Sequence, residues 1–90
     1  MTAVLKEDSI NGVLRQKIAS LTENPLLEQQ LEKDHFIQNV GMDSLRIMNL
    51  VIQLEQHYDI IFDDHELSVS NFETIEVITH KIIQKLGEKL

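Results

Sequence analysis

The sequence predicts an all-α fold, a small three-to-four-helix bundle with a long first loop. Three observations support this. Helical spacing of apolar residues dominates, and it recurs in three separate stretches. The first two stretches are separated by a long connection, residues 22–42, which opens on the helix-breaking run Thr22-Glu23-Asn24-Pro25. The chain has 90 residues and no cysteine, which fits one domain over residues 1–90 with one modest apolar core. Without cysteine there is no disulfide framework, no Cys-ligated zinc and no thiol nucleophile.

The first helix is expected from about Ser9 to Ser20. Ile10, Val13, Leu14, Ile18 and Leu21 fall on one face, and Val4 and Leu5 extend the pattern backward. Gly12 weakens this helix modestly. In the long connection, Leu26, Leu27 and Leu31 are spaced for a helical turn or for a loop anchored on the core. A structureless loop of this length is unusual, so Phe36, Ile37 and Val40 are expected to pin it. The second helix is expected from Ser44 to about Tyr58, with Asp43 as its N-cap. Asp59-Ile60-Ile61-Phe62 reads as a short extended stretch, and Asp63-Asp64-His65-Glu66-Leu67 as a short helical turn or loop. The last helix starts at about Thr74, with Ile75, Ile78, Ile82, Ile83 and Leu86 at helical spacing and Val77 broadening the face. Lys81, Lys85 and Lys89 complement its dipole, and Gly87 marks its stop. Neither end has linker composition, which favours a free-standing protein.

The stretch that says most about function is Gly41-Met42-Asp43-Ser44-Leu45. Behind the cap at Asp43, Ser44 falls in the first helical turn, where unpaired backbone N–H groups and the helix dipole favour an anion. A serine placed there is exposed and suited to carry a phosphate ester. Gly-Met-Asp-Ser-Leu followed by a Leu/Val/Ile-rich helix resembles the attachment motif of acyl carrier proteins, and the resemblance extends over nearly the whole chain. It implies that a phosphopantetheinyl transferase links 4′-phosphopantetheine to Ser44. It also implies that Asp43 caps the helix and helps hold the transferase's metal, and that Leu45 helps dock that enzyme. The arm then carries an acyl or aminoacyl thioester, as in fatty-acid, polyketide or nonribosomal-peptide biosynthesis.

The second helix carries two apolar stripes. At ~100° per residue, Ile47, Leu50, Val51, Leu54 and Tyr58 form one cluster, while Leu45, Met48 and Ile52 lie almost opposite. Arg46, Asn49, Gln53 and His57 fill the gap. A bundle needs only one stripe. The second is either covered by the long loop or exposed for partners, with Met48 offering adaptable contact. The resemblance favours a partner-binding surface of Leu45, Met48, Ile52 and Glu55. Carriers of primary fatty-acid synthesis usually place acids in the first turns of this helix, where this chain has Arg46 and Asn49. That departure points to a specialised carrier, as does Asn71-Phe72-Glu73-Thr74, which resembles an aromatic-then-Thr pattern of some aminoacyl carriers.

Net charge is −7, from 15 acids and 8 bases. Residues 47–80 contain no Lys or Arg and seven acids, Glu55, Asp59, Asp63, Asp64, Glu66, Glu73 and Glu76, so the whole net charge lies in this segment. Such a surface repels nucleic acid and anionic membrane and suits acyl-loading and acyl-processing enzymes with basic docking surfaces. A cytoplasmic monomer is the expectation, since Met1 to Asp8 holds no signal-peptide-like apolar run and no segment is long enough to span a membrane.

Independent catalysis is not expected. The four histidines form no metal-ligand spacing, Ser44 lacks a nucleophile elbow, and Asp63-Asp64-His65-Glu66 reads as a solvated acidic loop rather than a metal site. The competing reading is an unmodified helical protein-interaction module using the same exposed stripe.

Overall fold

The computed structural model describes residues 2–88, and within them the regular structure is helical apart from one isolated bridge. The helices are α1 (Thr2–Leu21), α2 (Leu27–Gln30), α3 (Ser44–Tyr58) and α4 (Ile75–Glu88), with 3₁₀ turns at Ile37–Val40, Asp64–Glu66 and Val69–Phe72. No helix among the described residues is long and apolar enough to cross a membrane.

The apolar spacing of α1 places Ile10, Leu14 and Ile18 in the core, with Ala19 beside them. The helix starts earlier than Ser9, running through Val4 and Leu5. It ends in a Schellman-type turn: Glu23 is left-handed (φ 55°), and Asn24 N–H donates to Ala19 O at 3.0 Å.

The long connection is only partly as expected. Leu27, on the one-turn α2, and Leu31, just after it, are buried, but Leu26 is exposed. Ile37 is fully buried and Val40 packs against the core, whereas the Phe36 side chain is 52% exposed and pins nothing. At residue 36 the backbone does the pinning. Phe36 forms an antiparallel bridge with Thr74, Ile37 N–H donates to Glu73 O (2.8 Å), and Glu76 N–H donates to Lys33 O (2.9 Å). The loop therefore ties itself to the start of α4 and supplies an acceptor for one of that helix's N-terminal N–H groups. Met42, inside the motif, is also fully buried.

The predicted bounds of α3 hold, and Asp59 closes the helix in the left-handed region (φ 54°). After it, Ile60 and Phe62 point inward and Ile61 outward, as in an extended stretch. Phe62 meets Phe72 edge-on, with ring centroids 5.4 Å apart. The 3₁₀ turn that brings Phe72 there was not evident in the sequence. At α4, Thr74 Oγ1 accepts Val77 N–H (3.1 Å) as a cap. Gly87 does not stop this helix, which continues through Glu88. Lys89 lies outside the described residues.

Helix α1 packs against α2, α3 and α4. One polar contact crosses the α1–α4 seam: the buried Thr79 Oγ1 donates to Asn11 Oδ1 at 2.6 Å.

Candidate functional site

The Gly41–Leu45 motif sits where the long connection turns into α3. Gly41 adopts φ 105°, ψ 7°, a conformation that side-chain-bearing residues rarely take, so glycine is required there. Met42 anchors the next residue in the core, and its N–H donates to Ile37 O at 3.1 Å. Asp43 is the N-cap: Oδ1 accepts Arg46 N–H at 2.9 Å. Its other oxygen pairs with the Arg46 guanidinium, also at 2.9 Å.

Arg46 does more than pair with the cap. Its Nε donates to Leu21 O at 3.1 Å, the carbonyl that ends α1. One side chain thus compensates two helix ends, the carboxylate at the start of α3 and an otherwise open carbonyl of α1. The sequence displays Arg46 as a free cation interrupting an acidic surface. In the fold it is a clamp between the motif and α1.

Ser44 is exposed and opens α3. It borders a cavity of about 90 Å³ whose other walls are Ile47, Met48, Val51, Leu67, Ser68 and Phe72. Of these, Leu67, Ser68 and Phe72 come from the 3₁₀ region after α3, and sequence reading did not bring them to the site.

The two stripes of α3 separate cleanly. Ile47, Leu50, Val51 and Leu54 are buried, and Tyr58 is half-buried, which pushes its phenol pKa up. Leu45 is 72% exposed, Ile52 49% and Met48 44%, so the long loop does not cover the outer stripe. Glu55 differs from these three. It is half-buried, and its Oε2 accepts Phe62 N–H at 2.9 Å, which fastens the chain after α3 back onto the helix.

The acidic segment is also partly spent inside the fold. Glu66 is buried, hydrogen-bonded to Lys85 and flanked by Lys81 at 3.6 Å. The Lys85 hydrogen bond is the main reason its carboxyl titrates at about 2, and the same bond pushes the Lys85 ammonium up. Lys85 also lies 3.9 Å from Asp63. The two lysines therefore serve the Asp63–Glu66 turn rather than the α4 dipole alone, and an ammonium stands where a cation would bind to that turn.

A family model described as "Phosphopantetheine attachment site" matches residues 12–82, which include the motif, the cavity and both stripes. The chain belongs to this phosphopantetheine-binding family. Over 86 residues it is 20% identical to "Aminoacyl carrier protein 2" of Bradyrhizobium diazoefficiens strain USDA 110, covering 96% of this chain and 92% of the relative. No solved structure matches. The phosphopantetheine-binding chain is a carrier and not a catalyst, with 4′-phosphopantetheine as its covalent cofactor and with a phosphopantetheinyl transferase and biosynthetic enzymes as its partners. The site suits that cofactor, since it offers an exposed hydroxyl at a helix start with an apolar recess beside it.

Proposed function

We propose that Ser44 is the attachment residue and that the chain carries an aminoacyl or acyl group in a specialised pathway rather than in primary fatty-acid synthesis. The observation that carries the first part is the exposed Ser44, set directly after the N-cap Asp43 at the start of α3 and inside the matched segment. For the pathway, support comes from Arg46 and Asn49 in place of acids, and from the aminoacyl carrier name of the relative.

Ser44 Oγ attacks the pantetheine-bearing phosphorus of coenzyme A. A new O–P bond forms, the adenosine bisphosphate leaves, and the serine proton passes to a base of the transferase. Asp43 fixes the turn, and Arg46 holds Asp43 in place. Once attached, the arm supplies the thiol that carries the cargo as a thioester. Leu45, Met48 and Ile52 form the docking stripe that transferase and processing enzymes share, with Asp59, Asp64 and Glu76 as exposed acids that suit basic partner surfaces. Contact of modest area lets each partner leave quickly. Glu55 contributes to this surface through its charge only, because one of its oxygens is engaged by Phe62.

The test is intact mass after incubation with coenzyme A and a broad-specificity transferase. Wild type should gain one arm, and Ser44→Ala none while keeping its fold. Failure of wild type with several transferases would return the chain to the unmodified interaction module.

A further inference from the structure

The cavity beside Ser44 is small, apolar and placed at the root of the arm rather than at its tip. We propose that it receives the geminal dimethyl group of the arm itself, and that the cargo stays outside. This rests on Ser44 being the attachment residue.

Three observations lead to this occupant. Ser44 is itself part of the cavity wall, so whatever is attached to its oxygen starts at the cavity mouth. In 4′-phosphopantetheine the first apolar group after the phosphate is the quaternary carbon with its two methyls, only a short way along the chain. The thioester lies at the far end, so a cargo would have to fold the whole arm back to reach the same place. The second observation is size. About 90 Å³ is well below the ~150 Å³ that accepts a benzene ring, so a few carbons fit and a long acyl chain does not. The third is the lining. Ile47, Val51 and Phe72 are buried apolar side chains, and Met48 is a half-exposed wall residue whose flexible side chain can adapt to an occupant. The polar wall is Ser68, whose hydroxyl is 3.0 Å from that of Ser70. An apolar recess with no charged wall suits two methyl groups and rejects a phosphate or a free ammonium.

Seated in this way, the first part of the arm lies along α3 beside the docking stripe. The thiol end then points away from the bundle, where partner enzymes meet it.

The experiment uses the full chain, uniformly 13C-labelled, modified with unlabelled coenzyme A, and isotope-filtered NOE spectra of the product. Intact mass is read first. The expected result is NOEs from both geminal methyls to the Met48 and Val51 methyls, the same whether the thiol is free or acetylated or carries an octanoyl chain. Ser68→Leu fills the recess from an exposed loop position, and this variant should still gain the arm's mass but lose those NOEs. NOEs to Met48 and Val51 from octanoyl protons instead of the geminal methyls would overturn the proposal and make the cavity a cargo site. A mass gain with no arm contacts at all would overturn it too. Absence of any mass gain on wild type overturns the attachment reading and the proposal together.

Discussion

Leu54 and Ile52 lie two residues apart on α3 and face opposite ways, and truncating each to alanine should have very different consequences. Leu54 is fully buried between α3 and the rest of the core. Leu54→Ala removes its transfer energy and leaves a cavity, a cost of ~2–5 kcal/mol. At roughly 4–8 °C per kcal/mol for a domain of this size, the melting temperature should fall by about 8–40 °C. Ile52 is 49% exposed. Full burial of such a side chain is worth ~1.5–3 kcal/mol, so its half-buried state is worth about 1 kcal/mol, and no cavity follows its loss. Alanine is also the better helix former, which offsets up to ~0.7 kcal/mol. Ile52→Ala should therefore shift the melting temperature by only a few degrees, and Met48→Ala by a similar amount. The assay is thermal denaturation followed by circular dichroism, paired with the rate of arm transfer at a temperature where all variants are folded. Ile52→Ala and Met48→Ala should slow the transfer while leaving the melt nearly unchanged. Destabilisation at Ile52 or Met48 comparable to that at Leu54 would refute the division into a core stripe and a docking stripe.

Acid should weaken the fold through Glu66. Its folded-state carboxyl titrates at about 2 against an ordinary 4.5, so between these values the unfolded chain binds the extra proton. The stabilisation is complete above pH ~4.5 and is lost as pH falls toward 2, and Glu66→Gln should flatten that slope in melts taken from pH 6 to pH 3. Arg46→Gln should cost ~1–2 kcal/mol, mostly from the lost bond to Leu21 O rather than from the exposed pair with Asp43. Hydrogen exchange should show faster exchange at Glu23 and Asn24, whose amides close α1. Asn49→Glu, which leaves the Arg46 clamp intact, should speed malonyl loading by fatty-acid synthase enzymes at low salt, with the gain shrinking as salt screens the new charge over ~8–10 Å. Efficient loading of wild type with no gain in this variant would return the chain to ordinary fatty-acid synthesis.

What the sequence could show depended on how local each signal was. The bounds of α3 were legible because the Asp43 cap and the apolar period are both local signals, one immediately before the helix and one along it. The two stripes were legible for the same reason, although their exposure was not. Phe36 misled because an aromatic residue suggests burial, whereas here the peptide backbone makes the tie to α4. Gly87 misled because glycine within a helix costs only about 1 kcal/mol and ends one only when the chain turns left-handed. The Arg46 clamp was beyond sequence reading, since its partner is a main-chain carbonyl that no residue type advertises. The cavity was hidden for a related reason: Leu67 and Ser68 lie between two 3₁₀ turns and Phe72 ends the second, and the sequence does not show that these turns bring them to Ser44.

The pinned connection also bears on when Ser44 becomes recognisable. The turn before α3 is held through Arg46 to Leu21 and through Ile37 to Glu73, and these partners lie far apart in the sequence. A growing polypeptide on the ribosome contains the five motif residues well before Glu73 and Thr74 have been made. During that interval it lacks the loop-to-α4 ties that complete the mount. An enzyme that reads the mounted serine, rather than the five letters, attaches its arm only to finished molecules.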